Sequence, residues 1–204
     1  MLKEFITNGL ILAAGMSSRM DEFKPLLPLN GKTLIENTVD SLIDGGADKV
    51  LIVIGYRADD IKRLLQNKYN DRIIFATNEE YEKTDMFCSF KIGIKAMPFC
   101  NAFFLLPGDM PLVSAGTFKK LSYYRQILKK EQKRVIFPVL KGKRKHPVLM
   151  DFDLINDILE FKGGKGLKGF FESNPDIIYD INVDDKGIDI DFDTPSDYKK
   201  FKDQ

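Results

Sequence analysis

The residue types best suited to chemistry lie together in one loop of the sequence. Residues 13–20 combine small residues with the hydroxyl and cationic side chains of Ser17, Ser18 and Arg19, and Lys24 follows them. Small residues let the backbone approach an anion, while hydroxyls and cations supply charge-assisted hydrogen bonds to phosphate oxygens. An ordinary solvated loop with two surface cations is the alternative. Because the loop follows an apolar run typical of a buried strand, we favour a phosphate-binding loop.

A carboxylate occupies the corresponding place after another apolar run. Asp109 follows the run at residues 102–106 and stands after Gly108 and before Met110. In open α/β sheets ligands bind beyond the carboxyl ends of the strands, and a carboxylate there can bind the Mg²⁺ that accompanies a triphosphate. A turn aspartate that bonds its own backbone is the alternative.

A third group of candidate ligands lies near residue 190. Asp189, Asp191 and Asp193 alternate with Ile190 and Phe192, so an extended backbone points all three carboxylates to one side. Three like charges are costly together unless a metal ion or solvent balances them. A metal site and a solvated acidic edge both remain open.

Two short motifs resemble known nucleotide-binding signatures without their context. Gly31-Lys32-Thr33 has the ending of a P-loop, but Leu26 stands where that motif requires glycine. Residues 164–169 spell GxGxxG but follow a helical pattern instead of a strand, which disfavours a dinucleotide fold. We interpret the first as a turn and helix cap, and the second as the start of a helix or a loop near the ligand.

The elements that must position these residues alternate along the chain. Short apolar runs without polar alternation are typical of strands buried on both faces of a parallel sheet, and they occur at residues 10–14, 50–54, 73–76, 102–106 and 135–137. Amphipathic stretches separate them, and a helix near 154–161 and a strand near 177–183 follow. The pattern predicts an α/β fold, a three-layer sandwich with a mostly parallel central sheet and helices on both faces.

Two helix starts carry capping signals. Thr33 and Glu36 form the pattern of a capping box before an apolar stripe that ends at Gly45-Gly46. Ser114 stands before the helical pattern that contains Phe118 and Leu121, and is predicted to cap that helix.

Composition narrows the class of protein. The chain has 204 residues, 44% of them hydrophobic and 30% charged, so it can bury a core and is predicted to form one domain over residues 1–204. A net charge of +1 disfavours a nucleic-acid partner, and no apolar run approaches the roughly 18 residues of a membrane helix. Two cysteines and one histidine disfavour a disulfide scaffold or a thiolate zinc site. We therefore expect a cytoplasmic protein with neither a nucleic-acid nor a membrane partner.

In this order, the segments resemble the nucleotidyltransferases related to molybdenum cofactor biosynthesis. The matching stretches are residues 12–20 with 24–28, residues 107–112 and residues 191–198, and the first is the most specific. Residues 78–81 and 86–89 are similar to the nucleoside-contacting segment of that family. Thr84-Asp85 departs from the family pattern, because relatives usually show a glycine there.

The resemblance implies a Rossmann-like sandwich that joins a nucleoside monophosphate to a phosphate-bearing acceptor and releases pyrophosphate. The chain is most similar to the molybdenum cofactor cytidylyltransferases, which implies CTP as the donor and molybdopterin cofactor as the acceptor. Branches that use guanine usually carry a second glycine where this chain has Ala14, which also favours cytosine. Mg²⁺ is the implied cofactor, and a molybdoenzyme is an implied transient partner.

The resemblance also assigns residues to roles. The implied catalytic residues are Arg19 on the β- and γ-phosphates, Lys24 on the α-phosphate, and Asp109. The implied metal ligands are Asp109 and one of Asp191 and Asp193. Residues 1–113 are the implied nucleotide- and metal-binding half, and residues 114–204 the acceptor-binding half with the C-terminal metal segment. The implied nucleotide contacts are Leu12, Ala13, Ala14, Gly15, Ser17, Ser18, Arg19, Lys24, Asn78, Ser89 and Gly108.

Two other functions remain open at this stage. The same chemistry can serve a different acceptor, such as a sugar phosphate, an alcohol phosphate or a methylerythritol phosphate. A protein of another class, a nucleotide-binding maturation partner of a molybdoenzyme, would bind CTP without releasing pyrophosphate. The cations and carboxylates of the predicted site favour catalysis over this second alternative.

Overall fold

The computed structural model describes residues 5–18, 20, 22–128, 133–190, 192 and 194–202. Three residues with predicted roles lie outside the described residues, namely Arg19, Asp191 and Asp193.

One mixed, mostly parallel sheet forms the centre of the described chain. In chain order the strands are β1 (Thr7–Ala13), β2 (Pro28–Leu29), β3 (Lys32–Thr33), β4 (Val50–Ile54), β5 (Ile73–Thr77), β6 (Ala102–Pro107), β7 (Val135–Leu140), β8 (Lys143–Arg144), β9 (Val148–Asp151) and β10 (Ile178–Asn182). The order across the sheet is β10-β7-β9-β6-β1-β4-β5, with β8 beside β7, while β2 and β3 form a separate hairpin. β9 runs antiparallel to β6 and β7, and β8 antiparallel to β7; the other pairs in this sheet are parallel.

Helices cover both faces of this sheet. They are α1 (Leu34–Asp44), α2 (Ala58–Tyr69), α3 (Met86–Ala96), α4 (Ala115–Ile127), α5 (Ile155–Glu160), α6 (Gly166–Ser173) and α7 (Pro195–Lys202). Ile11 of β1 belongs to a core cluster with side chains of α1, α2 and α4. Leu10 belongs to a second cluster with α3, α5 and α6. Successive strand residues point to opposite faces, so the sheet is buried on both sides and the predicted three-layer sandwich is confirmed.

The capping predictions have different outcomes at the two helices. The capping box of α1 is confirmed, because Thr33 Oγ1 accepts from the Glu36 amide and the Glu36 carboxylate accepts from the Thr33 amide. Ser114 holds the N-cap position of α4, but its hydroxyl caps no amide. Asp185, distant in sequence, instead accepts from the Ser114 amide at 2.9 Å and the Thr117 hydroxyl at 2.6 Å. The prediction of a serine cap was wrong, because the Thr117 amide that the Ser114 hydroxyl would accept from donates to the Ser114 carbonyl at 3.0 Å instead.

The pairing of β1 with β6 places the two predicted chemical segments side by side. Leu12 is the register partner of Pro107, and the Gly108 amide donates to the Leu12 carbonyl at 3.0 Å. The residues that follow both strands therefore leave the sheet at the same edge. No helix in the described part of the chain is long and apolar enough to cross a membrane.

Helix α1 contacts both of these segments. The Leu34 amide donates to the Leu27 carbonyl at 2.9 Å, which ties the helix to the turn at Lys24–Leu26. The buried Thr38 hydroxyl lies 3.4 Å from the Gly108 carbonyl oxygen. One helix thus sets the relative position of Lys24 and the loop that carries Asp109.

Candidate active site

A cavity of about 340 Å³ lies at the carboxyl ends of β1 and β6. Four segments of the chain form its wall: the loop after β1, the turn that begins at Lys24, the segment before and within α3, and the loop after β6. The lining residues are Leu12, Ala13, Ala14, Gly15, Ser17, Lys24, Pro25, Tyr81, Thr84, Asp85, Met86, Ser89, Pro107, Gly108 and Asp109. We call this space the loop cavity.

The loop after β1 presents backbone donors to the loop cavity. In the described part of the protein, no backbone acceptor or side chain receives a hydrogen bond from the amides of residues 15–18. Ser17 adopts a left-handed backbone with φ of 55°, and its hydroxyl accepts from the Lys24 amide at 3.2 Å. A left-handed non-glycine residue is strained, and such strain concentrates in ligand-binding loops. The arrangement leaves consecutive amides for an anion, as a phosphate loop requires.

Two glycines of the loop cavity, Gly15 and Gly108, stand where a larger side chain would take up space. A Cβ built on Gly15 meets no protein atom within 4 Å, so it would project into open space. A Cβ on Gly108 would lie 3.0 Å from Ala13 Cβ and 3.2 Å from Ile35 Cδ1. The first glycine therefore keeps room for a ligand, and the second allows the loops after β1 and β6 to pack.

Lys24 and Asp109 form an ion pair across the loop cavity. Lys24 Nζ lies 2.8 Å from Asp109 Oδ2, and their side chains are 12% and 24% exposed. A partly buried pair of this kind places one cation and one carboxylate within reach of the same ligand. A nucleotide phosphate and a divalent cation would each find an opposite charge here.

The described residues fit a magnesium ion that is bound together with a polyphosphate. Mg²⁺ keeps several waters and is usually held by one or two carboxylates plus substrate phosphates, so one carboxylate is enough for the protein's share. Asp109 supplies that carboxylate. The described residues contain no group of three or more His, Cys, Asp or Glu side chains arranged to hold a metal without a substrate.

Asn78 lies behind the wall of the loop cavity instead of lining it. It is buried, and its amide nitrogen donates to Thr84 Oγ1 at 2.9 Å and to Ser89 Oγ at 3.0 Å. Its Oδ1 accepts from the Glu80 amide at 3.1 Å. These bonds occupy the side chain that was predicted to contact the nucleotide. In this structure Asn78 holds the segment that carries Thr84 and places Ser89 in the wall.

Two features of this wall were missed in the sequence. Asp85 caps α3, accepting from the Cys88 amide at 2.9 Å, and it lines the cavity at the position where the family resemblance leads us to expect glycine. Gly55, directly after β4, packs so closely that a Cβ there would lie 2.8 Å from both the Ala14 carbonyl oxygen and Tyr81 Cβ. Burial, with the Glu82 carboxylate beside it, raises the pKa of Tyr81, so its hydroxyl stays neutral at pH 7.

The other predicted nucleotide contacts are brought together. Leu12, Ala13, Ala14 and Gly15 line the loop cavity with Ser17, Lys24, Ser89, Gly108 and Asp109. Ser18 is exposed and does not line it. The sheet edge therefore collects most of the predicted site from segments up to 97 residues apart, from Leu12 to Asp109.

A second cavity of about 960 Å³ adjoins the first. The two cavities share Leu12, Asp85, Met86 and Pro107 as a common wall. The remaining lining of the larger cavity comes from both halves of the chain: α3 and β6 on one side, and β7, β9, α6 and the start of β10 on the other. We call this space the ring cavity, because four phenylalanine rings line it: Phe87, Phe90, Phe137 and Phe171.

Two groups of charged side chains at the rim of the ring cavity form ion pairs. Arg144 binds both carboxylate oxygens of Asp180, at 2.7 and 3.0 Å, and this carboxylate raises the pKa of the guanidinium. Lys165 Nζ lies 2.9 Å from the Glu172 carboxylate, and that hydrogen bond lowers the pKa of Glu172. The sole histidine, His146, places Nδ1 3.2 Å from the Leu105 carbonyl oxygen.

Comparison with known proteins agrees with this geometry. Residues 9–177 match the family described as MobA-like NTP transferase domain. Molybdenum cofactor cytidylyltransferase of Escherichia coli (strain K12) is 25% identical over 189 residues, which cover 93% of this chain and 92% of the relative.

Two solved structures share the fold. Rv0371c of Mycobacterium tuberculosis H37Rv in complex with manganese has a TM-score of 0.74 at 18% identity and covers 99% of this chain and 100% of that one. The 4-diphosphocytidyl-2C-methyl-D-erythritol synthase of Anaerococcus prevotii DSM 20548 has a TM-score of 0.76 at 18% identity, covering 98% of each chain. Because the family match spans most of the chain, the protein belongs to the MobA-like NTP transferase domain family and is a nucleotidyltransferase.

Proposed function

We propose that this protein transfers CMP from CTP to the phosphate of an acceptor, with molybdopterin cofactor as the favoured acceptor, and releases pyrophosphate. The observation that carries the proposal is the Lys24–Asp109 pair, at 2.8 Å, in a cavity lined by open backbone amides. A second cavity that can hold the body of an acceptor opens beside it.

Two findings support cytosine and molybdopterin within this chemistry. The full-length relative from Escherichia coli is a molybdenum cofactor cytidylyltransferase. Ala14 lines the loop cavity where guanine-using branches usually carry glycine, and its methyl group narrows the space beside the loop. A methylerythritol-type acceptor is the alternative, since a protein of similar fold is a 4-diphosphocytidyl-2C-methyl-D-erythritol synthase.

The proposed mechanism depends on positioning and charge neutralisation, because the acceptor phosphate is already an anionic nucleophile. The amides of residues 15–18 bind the phosphates of CTP, and Lys24 binds at the α-phosphate. The acceptor phosphate attacks the α-phosphorus in line, and the bond to the β-phosphate oxygen breaks, leaving as pyrophosphate. Preorganised donors aimed at the charge that develops in this transition state lower the barrier without reorganisation.

Asp109 would hold Mg²⁺, which supplies charge neutralisation of the triphosphate when bound. Arg19 is proposed on the β- and γ-phosphates, and Asp191 or Asp193 as a further metal ligand. A divalent ion is supported by the manganese complex of a protein with the same fold. In this scheme residues 1–113 bind nucleotide and metal, and residues 114–204 contribute to the acceptor side. A molybdoenzyme that receives the product would contact the protein only transiently.

The test is pyrophosphate release with Mg²⁺ and each of CTP, GTP, ATP and UTP, with and without molybdopterin cofactor. We expect release with CTP only when the cofactor is present. If pyrophosphate is released with CTP and methylerythritol phosphate or a sugar phosphate, but not with molybdopterin, that compound and not molybdopterin is the acceptor. Tight CTP binding without release to any acceptor would instead support a maturation partner without turnover.

A further inference from the structure

We infer that Asp185 is a positioning residue for metal binding in the loop cavity, because its carboxylate fixes residues 185–190 to the loop that carries Asp109. This inference rests on the proposed function, in which Asp109 and a carboxylate of the C-terminal segment hold the divalent ion. Residues 185–190 lead directly into the sequence that contains Asp191 and Asp193. The juxtaposition that carries the inference is one carboxylate that binds donors from two distant parts of the chain.

The Asp185 carboxylate joins its own segment to the end of the loop after β6. Its Oδ2 accepts from the Ser114 amide at 2.9 Å and from the Thr117 hydroxyl at 2.6 Å. Its Oδ1 accepts from the Gly187 amide at 2.9 Å. Two oxygens therefore serve three donors, and hydrogen bonds to an ionised acceptor are stronger than those between neutral groups.

Backbone packing brings residues 185–190 against the same loop. A Cβ built on Gly187 would lie 1.8 Å from the Leu112 carbonyl oxygen, so a side chain there would force the two backbones apart. Ile188 is 1% exposed and belongs to the core cluster that contains Met110 and Val113. The segment therefore packs on the loop after β6 within a few residues of the carboxylate that the loop carries.

Helix α1 contacts this loop independently of Asp185. The Thr38 hydroxyl lies 3.4 Å from the Gly108 carbonyl oxygen at the start of the loop. The Ser41 hydroxyl donates to the Val113 carbonyl near its end. The loop thus has contacts to a helix of the nucleotide-binding half as well as to Asp185. We infer that the loop provides the fixed reference, and that Asp185 places the C-terminal segment relative to it.

Beyond residue 190 the chain has a second anchor, on the other side of the loop cavity. Phe192 is fully buried in a cluster with Leu27, which directly follows the turn whose lysine belongs to the ion pair. The Tyr198 hydroxyl donates to the Pro28 carbonyl oxygen at 2.5 Å. The chain leading to Phe192 therefore runs from the loop after β6 to the end of that turn. Asp185 supplies the polar anchor and Phe192 the apolar one.

Mn²⁺ binding to the full chain tests the inference, with a nonhydrolysable α,β-methylene analogue of CTP saturating the loop cavity. Electron paramagnetic resonance of free Mn²⁺ gives the dissociation constant without turnover. Asp185→Asn keeps the side-chain size, but in either orientation its NH₂ group faces a backbone N–H, that of Ser114 or of Gly187. We expect Mn²⁺ to bind roughly tenfold more weakly, and the metal-free affinity for the analogue to stay unchanged.

Asp184→Asn is the matched control, because it removes the same charge from the neighbouring residue. Asp184 is exposed and forms no hydrogen bond or ion pair within the described part of the chain. It should leave Mn²⁺ affinity within about twofold of wild type, since solvent screens an exposed charge. Thr117→Val is a milder second variant that removes one of the three donors and keeps the carboxylate. We expect it to weaken Mn²⁺ binding by roughly threefold.

Equal Mn²⁺ affinities of Asp185→Asn and Asp184→Asn would overturn the inference. A purely structural role would lower the stability of Asp185→Asn to urea while the folded protein binds Mn²⁺ as wild type does, and that result would also overturn it. If Asp185→Asn does not fold, wild-type Mn²⁺ affinity in Thr117→Val decides against the inference. The proposed function fails by a different result: a wild-type protein that binds neither CTP nor its analogue would refute nucleotidyl transfer in the loop cavity.

Discussion

The loop cavity and the ring cavity share a wall, but different types of chemical group line them. Backbone amides, four hydroxyl side chains and a Lys–Asp pair line the first, and that lining comes mostly from loops at strand ends. Phenylalanine rings and aliphatic side chains of strands and helices line most of the second, with ion pairs at its rim. The difference makes the first cavity suited to a charged ligand and the second to a more apolar one.

The common wall explains how two such different spaces can work together. Leu12 and Pro107 are register partners on neighbouring strands, and each touches both cavities. Ligands in the two cavities would meet at the common wall, which this pair forms together with Asp85 and Met86.

The largest expected effect comes from removing the charge of Asp109, which lines the loop cavity and not the ring cavity. Asp109→Asn is expected to reduce turnover by roughly 100-fold or more, because it removes the metal-binding carboxylate from the transition state. Steady-state pyrophosphate release with saturating CTP and acceptor measures it. Near-normal turnover would contradict the role given to Asp109.

A smaller effect is expected when a methyl group is added to the floor of the loop cavity. Gly15→Ala places a Cβ in space that is free of protein atoms, so the fold should tolerate it. The methyl group would obstruct the phosphates, and we expect CTP to bind about tenfold more weakly. Fluorescence or calorimetric titration with CTP measures the change.

The matched control is Gly164→Ala. A Cβ there also meets no protein atom within 4 Å, and Gly164 lines neither of the two cavities. It should leave CTP affinity unchanged. Equal effects of both alanine substitutions would show that Gly15 does not face the nucleotide.

The ion pair of the loop cavity predicts an effect on metal binding without nucleotide. Lys24 Nζ lies 2.8 Å from Asp109 Oδ2, so a divalent ion must compete with the ammonium group for this carboxylate. Lys24→Met should therefore strengthen Mn²⁺ binding to the nucleotide-free protein by about tenfold, since a partly buried cation is removed beside the ligand. Electron paramagnetic resonance of free Mn²⁺ measures it. Weaker Mn²⁺ binding in the variant would contradict the competition.

The smallest expected effect concerns Glu36 of α1, which lines neither cavity. Burial alone would raise the pKa of Glu36, but hydrogen bonds from Lys68 and Thr33 outweigh it and lower the pKa from 4.5. Because the folded pKa lies below the unfolded one, the carboxylate stabilises the fold above about pH 4.5 and loses this contribution as the pH falls. Glu36→Gln should cost about 1 kcal/mol at pH 7.

Urea unfolding at pH 7 and pH 3.5 tests this sign. The difference in unfolding free energy between wild type and Glu36→Gln should shrink at the lower pH. The affinity for CTP should not change at pH 7, because Glu36 lines neither cavity. A stability difference that grows on acidification would contradict the capping role.

Local patterns in the sequence were sufficient for much of the fold and of the loop cavity. The strand predicted at residues 50–54 matches β4, and the run at 102–106 extends by one residue in β6. Helix α3 was not predicted, because its segment is apolar on several sides and its cap, Asp85, stands where a glycine was expected. Asn78 was implied as a nucleotide contact by the family resemblance alone, and its bonds to Thr84, Ser89 and Glu80 join parts of the chain that no local pattern relates.

The sequence by itself determined the alternation of buried strands and amphipathic helices, and the loop chemistry that follows β1 and β6. Both depend on residues close together in the chain, where periodicity and residue type act directly. Only the tertiary structure decided that Lys24 pairs with Asp109, that Asp185 binds the start of α4, and that four phenylalanines line one cavity. These contacts join distant residues, and their partners are set by the order of strands in the sheet, which no local pattern specifies.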